Sequence, residues 1–154
     1  MIMMLVVGNV LAVDKLCPRI SARFERIVAV DDLRLGVFSV RNEGETPIRF
    51  SLAAVPVGSS WVELHPLSYN IHSRLAGSVE WLPDMTIGTF DHPRGVVNVK
   101  SGGSANLNLS VDQVFDDRFP PGTSFFVEFK PAELKCSVRS NEFVPSTPSH
   151  IGSK

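Results

Sequence analysis

No apolar run in this 154-residue chain reaches the roughly 18–20 residues that a membrane-spanning helix requires, so no integral membrane segment is expected in the mature chain. An excess of charge of one sign is also missing. Fifteen Lys and Arg face sixteen Asp and Glu, a formal net charge of −1. Without a whole-protein field there is nothing to draw in nucleic acid or an anionic membrane, and no nucleic-acid partner is expected. The arginines Arg19, Arg23, Arg26, Arg34, Arg41 and Arg49 are interleaved with acids, as on solvated strand faces.

The signatures of catalysis are absent too. There is no Gly-rich phosphate loop, no HExxH, no GxSxG and no CxxC. The four histidines His65, His72, His92 and His150 show no i, i+2 or i, i+4 pairing that would present two metal ligands from one strand or helix. Asp112, Asp116 and Asp117 lack the alternating acids and closing Glu of a calcium loop. The reading is therefore a non-enzyme with no cofactor, no metal and no catalytic residue. A small metal-dependent hydrolase is the remaining enzymatic alternative.

Only two cysteines are present, Cys17 and Cys136, near opposite ends of the chain. Their spacing fits no zinc or redox motif. In an exported protein they would bridge the first and last strands, a long loop worth roughly 4 kcal/mol in the chain-entropy model. In a cytosolic protein they would be buried thiols. The N-terminus bears on the choice. Met1–Val7 is apolar and Val10-Leu11-Ala12 fits a signal-peptidase site, but no Lys or Arg precedes Lys15 and Gly8-Asn9 interrupts the run. Residues 1–16 read as an incomplete signal segment or a first strand. Residues 17–140 read as one domain, and 141–154 as a flexible polar tail. A secreted or periplasmic location is favoured over a cytoplasmic one.

What is present is a set of short apolar runs separated by turn chemistry. Eleven Gly and eleven Pro punctuate the chain, and ten Phe against one Tyr point to a phenylalanine-filled core. Ala105, Leu107, Leu109 and Val111 alternate with polar residues, as do Phe125, Val127 and Phe129, and again Leu134, Cys136 and Val138. This is the period of half-buried antiparallel strands. Ile20, Phe24 and Ile27 have helical spacing, yet Ile27–Val30 is β-branched, so Arg19–Val30 reads mainly as strand. In Leu33–Val40 the apolar phase switches, which requires a strand covered on both faces or a bulge at Gly36. Asn42-Glu43-Gly44 then supplies a residue tolerant of positive φ, and Pro47 closes the turn before Ile48, Phe50 and Leu52.

Eight to ten such strands, with no long helix and no repeat, predict an all-β antiparallel β-sandwich, immunoglobulin-like, with short strands and long loops. The pattern Phe38-x-Val40-Arg41-Asn42-x-Gly44-x-x-Pro47-Ile48-x-Phe50 resembles the strand–corner–strand of bacterial immunoglobulin-like modules. The resemblance is to an architecture used for many purposes and implies no activity. Gly36–Leu52 is expected to be the central strand pair, a β-hairpin or two strands of the sandwich joined at a tight corner. Ala105–Val111, Phe125–Phe129 and Leu134–Val138 are expected to form the opposing sheet.

A binding surface is best sought in Trp61–Trp81, which holds both Trp, the single Tyr, and two His. Trp61, Tyr69, His72, Arg74 and Trp81 are the candidate binding residues, since aromatics mixed with Arg are what interface hot spots use. The expected function is a non-catalytic binding module, such as an exported inhibitor, immunity or recognition protein, acting through its loops on a protein partner. The alternative is a structural or assembly component that self-associates through strand edges.

Overall fold

In a computed structural model the described residues are 15–53, 63–83, 91–146 and 149–150. The signal-peptidase motif and Trp61 lie outside them.

Of the expected strand Leu134–Val138 only Val138 is in a strand, with Leu134 exposed in the turn after Pro131, but the other alternating runs form the strands that their period demands. The strands are β1 (Ile20–Val30), β2 (Leu33–Asn42), β3 (Ile48–Leu52), β4 (Tyr69–Arg74), β5 (Leu82–Pro83), β6 (Gly95–Val99), β7 (Ser104–Ser110), β8 (Ser124–Phe129), β9 (Val138–Arg139) and β10 (Ser149–His150). One sheet runs β10-β1-β2-β7 and another β5-β4-β8-β9, with β3 and β6 paired separately. The protein is all-β. Its strand pairs are antiparallel except β1–β10, which is parallel.

The two larger sheets meet through phenylalanine. Phe38 on β2 packs edge-on against Phe129 on β8 at 5.3 Å and against Phe24 on β1 at 5.4 Å. Phe143 stacks on Phe24 at 4.1 Å, and Phe50 on β3 meets Phe129 at 6.2 Å. Offset and edge-on rings of this kind add about 0.5–1.5 kcal/mol per pair beyond area burial.

The helix-like spacing of Ile20, Phe24 and Ile27 has a β explanation. The register of β1 on β2 slips between Phe24 and Arg26, leaving Glu25 as the extra residue of a bulge. Ile20, Ala22 and Phe24 pack on the core at period two, the bulge inverts the phase, and Ile27 takes the inner face next. The phase switch in β2 has the other predicted cause, coverage on both faces. Phe38 and Val40 enter the main core, while Leu35 and Val37 join Val28 and Val30 in a second small cluster. There is no bulge at Gly36. A Cβ there would lie 2.8 Å from the Phe38 ring and 2.9 Å from Val111, so the position needs glycine for space.

β2 and β3 are not a hairpin, because they pair with different partners. Asn42, fully buried, holds the corner between them. Its Nδ2 donates to Thr46 O at 2.8 Å and Val99 O at 3.1 Å, and its Oδ1 accepts from Gly44 N at 3.0 Å. The turn thus rests on a side-chain amide, and Gly44 does not adopt positive φ. The expected sheet assignment is also corrected. β7 pairs with β2 in the same sheet, and only β8 and β9 lie opposite. Period-two patterns identify inner faces without saying which sheet a strand joins.

Cys17 and Cys136 are bonded, with Cα atoms 5.0 Å apart across 119 residues of sequence. The chain just before β1 is also tied to the chain just before β9 by Cys17 N to Ser137 O at 2.8 Å and Ser137 N to Lys15 O at 3.0 Å. The C-terminal boundary moves outward from the predicted one. Asn141 Oδ1 accepts from Phe24 N at 2.7 Å, Phe143 is buried in the core, and β10 pairs with β1. Among the described residues no helix is long and apolar enough to cross a membrane.

Candidate functional site

The outer face of the β5-β4-β8-β9 sheet is where charge and aromatic rings converge. On β4, Tyr69, Ile71 and Ser73 are buried, while Asn70, His72 and Arg74 sit half-buried on the opposite face. On β8, Phe125, Val127 and Phe129 point inward. Phe126 and Glu128 alternate with them, and Phe126 is only 6% exposed despite facing out.

Its neighbours explain that burial. His72 is the register partner of Phe126, and its imidazole stacks on the ring at 4.4 Å, 7° from parallel. β9 flanks β8 on the other side, and the Arg139 guanidinium lies 3.7 Å over the same ring. Trp81 meets Phe126 edge-on at 4.6 Å. Arg74 lies 4.6 Å over the Trp81 ring, and Arg139 lies 5.5 Å from it. Each such cation–ring contact contributes about 0.5–2 kcal/mol, depending on how far it is desolvated.

Trp81 is delivered by the connection from β4 to β5. Gly77 turns it with φ of 80°, a conformation that β-carbon sterics disfavour in other residues. Ser78 N donates to Leu75 O at 3.0 Å, and Glu80 N donates to Ser78 Oγ at 3.1 Å. The same connection exposes Leu75 and Val79, the latter 92% exposed, and Leu82 at the start of β5 is exposed as well.

Two carboxylates pair with His72 and Arg74. Glu128 Oε2 lies 2.9 Å from His72 Nε2, and Glu142 Oε2 lies 2.7 Å from an Arg74 guanidinium nitrogen. Glu142 Oε1 is 4.0 Å from Arg139, beyond hydrogen-bond range.

Three of the five candidates therefore meet: His72, Arg74 and Trp81. Tyr69 faces the core, where burial first, and then the charge of Glu63, push its phenol pKa up. Trp61 lies outside the described residues. Sequence reasoning missed Phe126, Arg139, Glu128 and Glu142. Phe126 had left a trace, because it breaks the alternation of β8 with a third consecutive apolar residue. Arg139 and Glu142 left none.

The other chemistry-bearing residues are engaged in local structure. His65 is buried; its Nδ1 accepts from Leu67 N at 3.2 Å, so the proton sits on Nε2, 2.6 Å from Asp91 O. That ring caps the 3₁₀ turn Pro66–Ser68. An open cleft of about 900 Å³ lies between the β1–β2 turn and the segment after β7, with Asp31, Asp32, Asp116 and Asp117 on its walls. Nearby, Asp112 accepts from Arg34 N at 3.2 Å. Asp116 accepts from Arg118 N at 2.9 Å, and that backbone hydrogen bond is the main reason its pKa is lowered. Among the described residues no three His, Cys, Asp or Glu side chains are grouped as a metal would need.

The chain matches no known family model and no curated protein.

Proposed function

We propose that this chain is an exported, non-catalytic binding module, built as an immunoglobulin-like sandwich, that engages a protein partner through the outer face of β4, β8 and β9. One observation carries this reading. Two arginines stack on Trp81 and on the buried Phe126 beneath it, beside exposed Leu75, Val79 and Leu82. Surface aromatic and Arg residues ringed by apolar side chains are the composition of interface hot spots. Export is supported by the disulfide, which persists in oxidising compartments.

Retention of partners on immobilised protein tests the reading, using extract or secretions of the source organism. A protein held by the wild type and by Leu134→Ala, an exposed apolar position off this face, should be lost from Trp81→Ala. Equal retention by all three forms would sink the proposal. Concentration-dependent self-association of the pure protein, with no heterologous partner, would favour an assembly component instead.

A further inference from the structure

On the outer face, one guanidinium makes no hydrogen bond among the described residues. The cations of this face are Arg74, Arg139 and Lys130, and its acids are Glu128 and Glu142. Both acids are already engaged, Glu128 by His72 and Glu142 by Arg74. Lys130 Nζ is 2.9 Å from the side-chain oxygen of Asn70 in its satisfied orientation. Arg139 makes no hydrogen bond among the described residues; its nearest acid oxygen is the one at 4.0 Å. Yet its plane is fixed by Phe126 at 3.7 Å, and its side chain is 41% exposed. A guanidinium held this way has already lost much of its rotamer freedom and presents a fork that fits a carboxylate.

We infer that Arg139 anchors the partner, and that the partner presents to it an Asp or Glu side chain from an extended, acidic protein segment whose flanking apolar residues lie on Trp81, Leu75 and Leu82. This rests on the reading that the face binds protein. A single fork with no hydrogen bond among the described residues suits one carboxylate. Binding of a polyanion with closely spaced phosphates depends on several cations releasing counterions together, and on this face Arg74 is already engaged by Glu142.

The test uses the full chain carrying Trp61→Phe, which leaves Trp81 as the single tryptophan. The probes are a labelled synthetic peptide of alternating Glu and Val, the same peptide with Gln for Glu, and a single-stranded oligonucleotide. Anisotropy measures binding and Trp81 emission locates it. A charged hydrogen-bonded pair predicts roughly ten- to a hundredfold preference for the Glu peptide, weakened by salt. Arg139→Ala should abolish that preference with an unchanged circular dichroism spectrum, and Arg139→Lys, which keeps the charge but not the fork, should restore only part of it. Equal binding of the Glu and Gln peptides with a Trp81 response would overturn the carboxylate inference while leaving protein binding in place. No saturable binding of the Glu peptide, or tighter binding of the oligonucleotide, would overturn the inference as well. The protein-binding reading would then stand or fall on the retention experiment.

Discussion

The two faces of β8 both carry aromatic clusters, assembled in opposite ways. On the inner face, Phe125 and Phe129 meet other phenylalanines and aliphatic residues with no charge among them. On the outer face, every partner ring or cation around Phe126 carries a polar group: the imidazole of His72, the indole of Trp81 and the guanidinium of Arg139. The inner cluster gains free energy by excluding water and tolerates no charge. The outer one keeps its guanidinium groups partly exposed. The comparison separates residues sealed in the core from residues at the solvent boundary.

The sharpest way to break the comparison is to put charge on the inner side. Val40 is fully buried in the core that β2 shares with β8. Val40→Asp should leave no cooperative thermal transition, since an unpaired buried charge costs several kcal/mol against a total stability of about 5–15 kcal/mol. Glu43→Lys, at the exposed corner beside Arg41, should stay within about 0.5 kcal/mol of the wild type. An unchanged melting temperature for Val40→Asp would refute the central placement of β2.

Next in size is the disulfide. Replacing Cys17 and Cys136 together by Ser should cost about 2–5 kcal/mol in denaturant unfolding, because the bridge closes a loop of 119 residues in the unfolded chain. The outer face should respond far less. Arg139→Ala is expected to cost about 1 kcal/mol, the scale of a partly exposed cation–π contact, while its effect on binding is large. A loss approaching that of a core substitution would mean that the outer stack is structural after all.

The smallest effect lies at the rim of the inner face, where Glu63 stands beside Tyr69. Burial, the largest influence, raises the Glu63 pKa; the Ser110 backbone hydrogen bond opposes this, and Asp112 adds to the rise. The folded state therefore holds this proton more tightly than the unfolded chain. Its contribution favours folding at acid pH and is lost as pH rises through the raised pKa. The change in melting temperature from wild type to Glu63→Gln should be more positive at pH 7 than at pH 4. A change that is more positive at pH 4 would contradict the assignment.

Much of the inner face was legible in the sequence. The runs ending in Val111 and Phe129 declared their strands because alternate residues had to be apolar. β1 was harder, since a bulge at Glu25 counterfeits helical spacing at Ile20, Phe24 and Ile27. β4 escaped notice because Ile71 is its only aliphatic residue, with Tyr69 and Ser73 completing the buried side. Within the candidate site, His72, Arg74 and Trp81 stood out by residue type in one segment. Arg139 did not, because an Arg beside Val138 looks like any solvated strand residue until β9 is laid against β8.

The sequence alone determined the class of the protein. Period-two apolarity, dense turn residues and the lack of helical or catalytic patterns are local properties, and local sterics and burial act on them directly. Tertiary structure decided that Cys17 reaches Cys136, that β7 sits beside β2, and that Arg139 and His72 close on Phe126. Those outcomes depend on which distant strands become neighbours and in what register, and that choice is made by packing of the whole core.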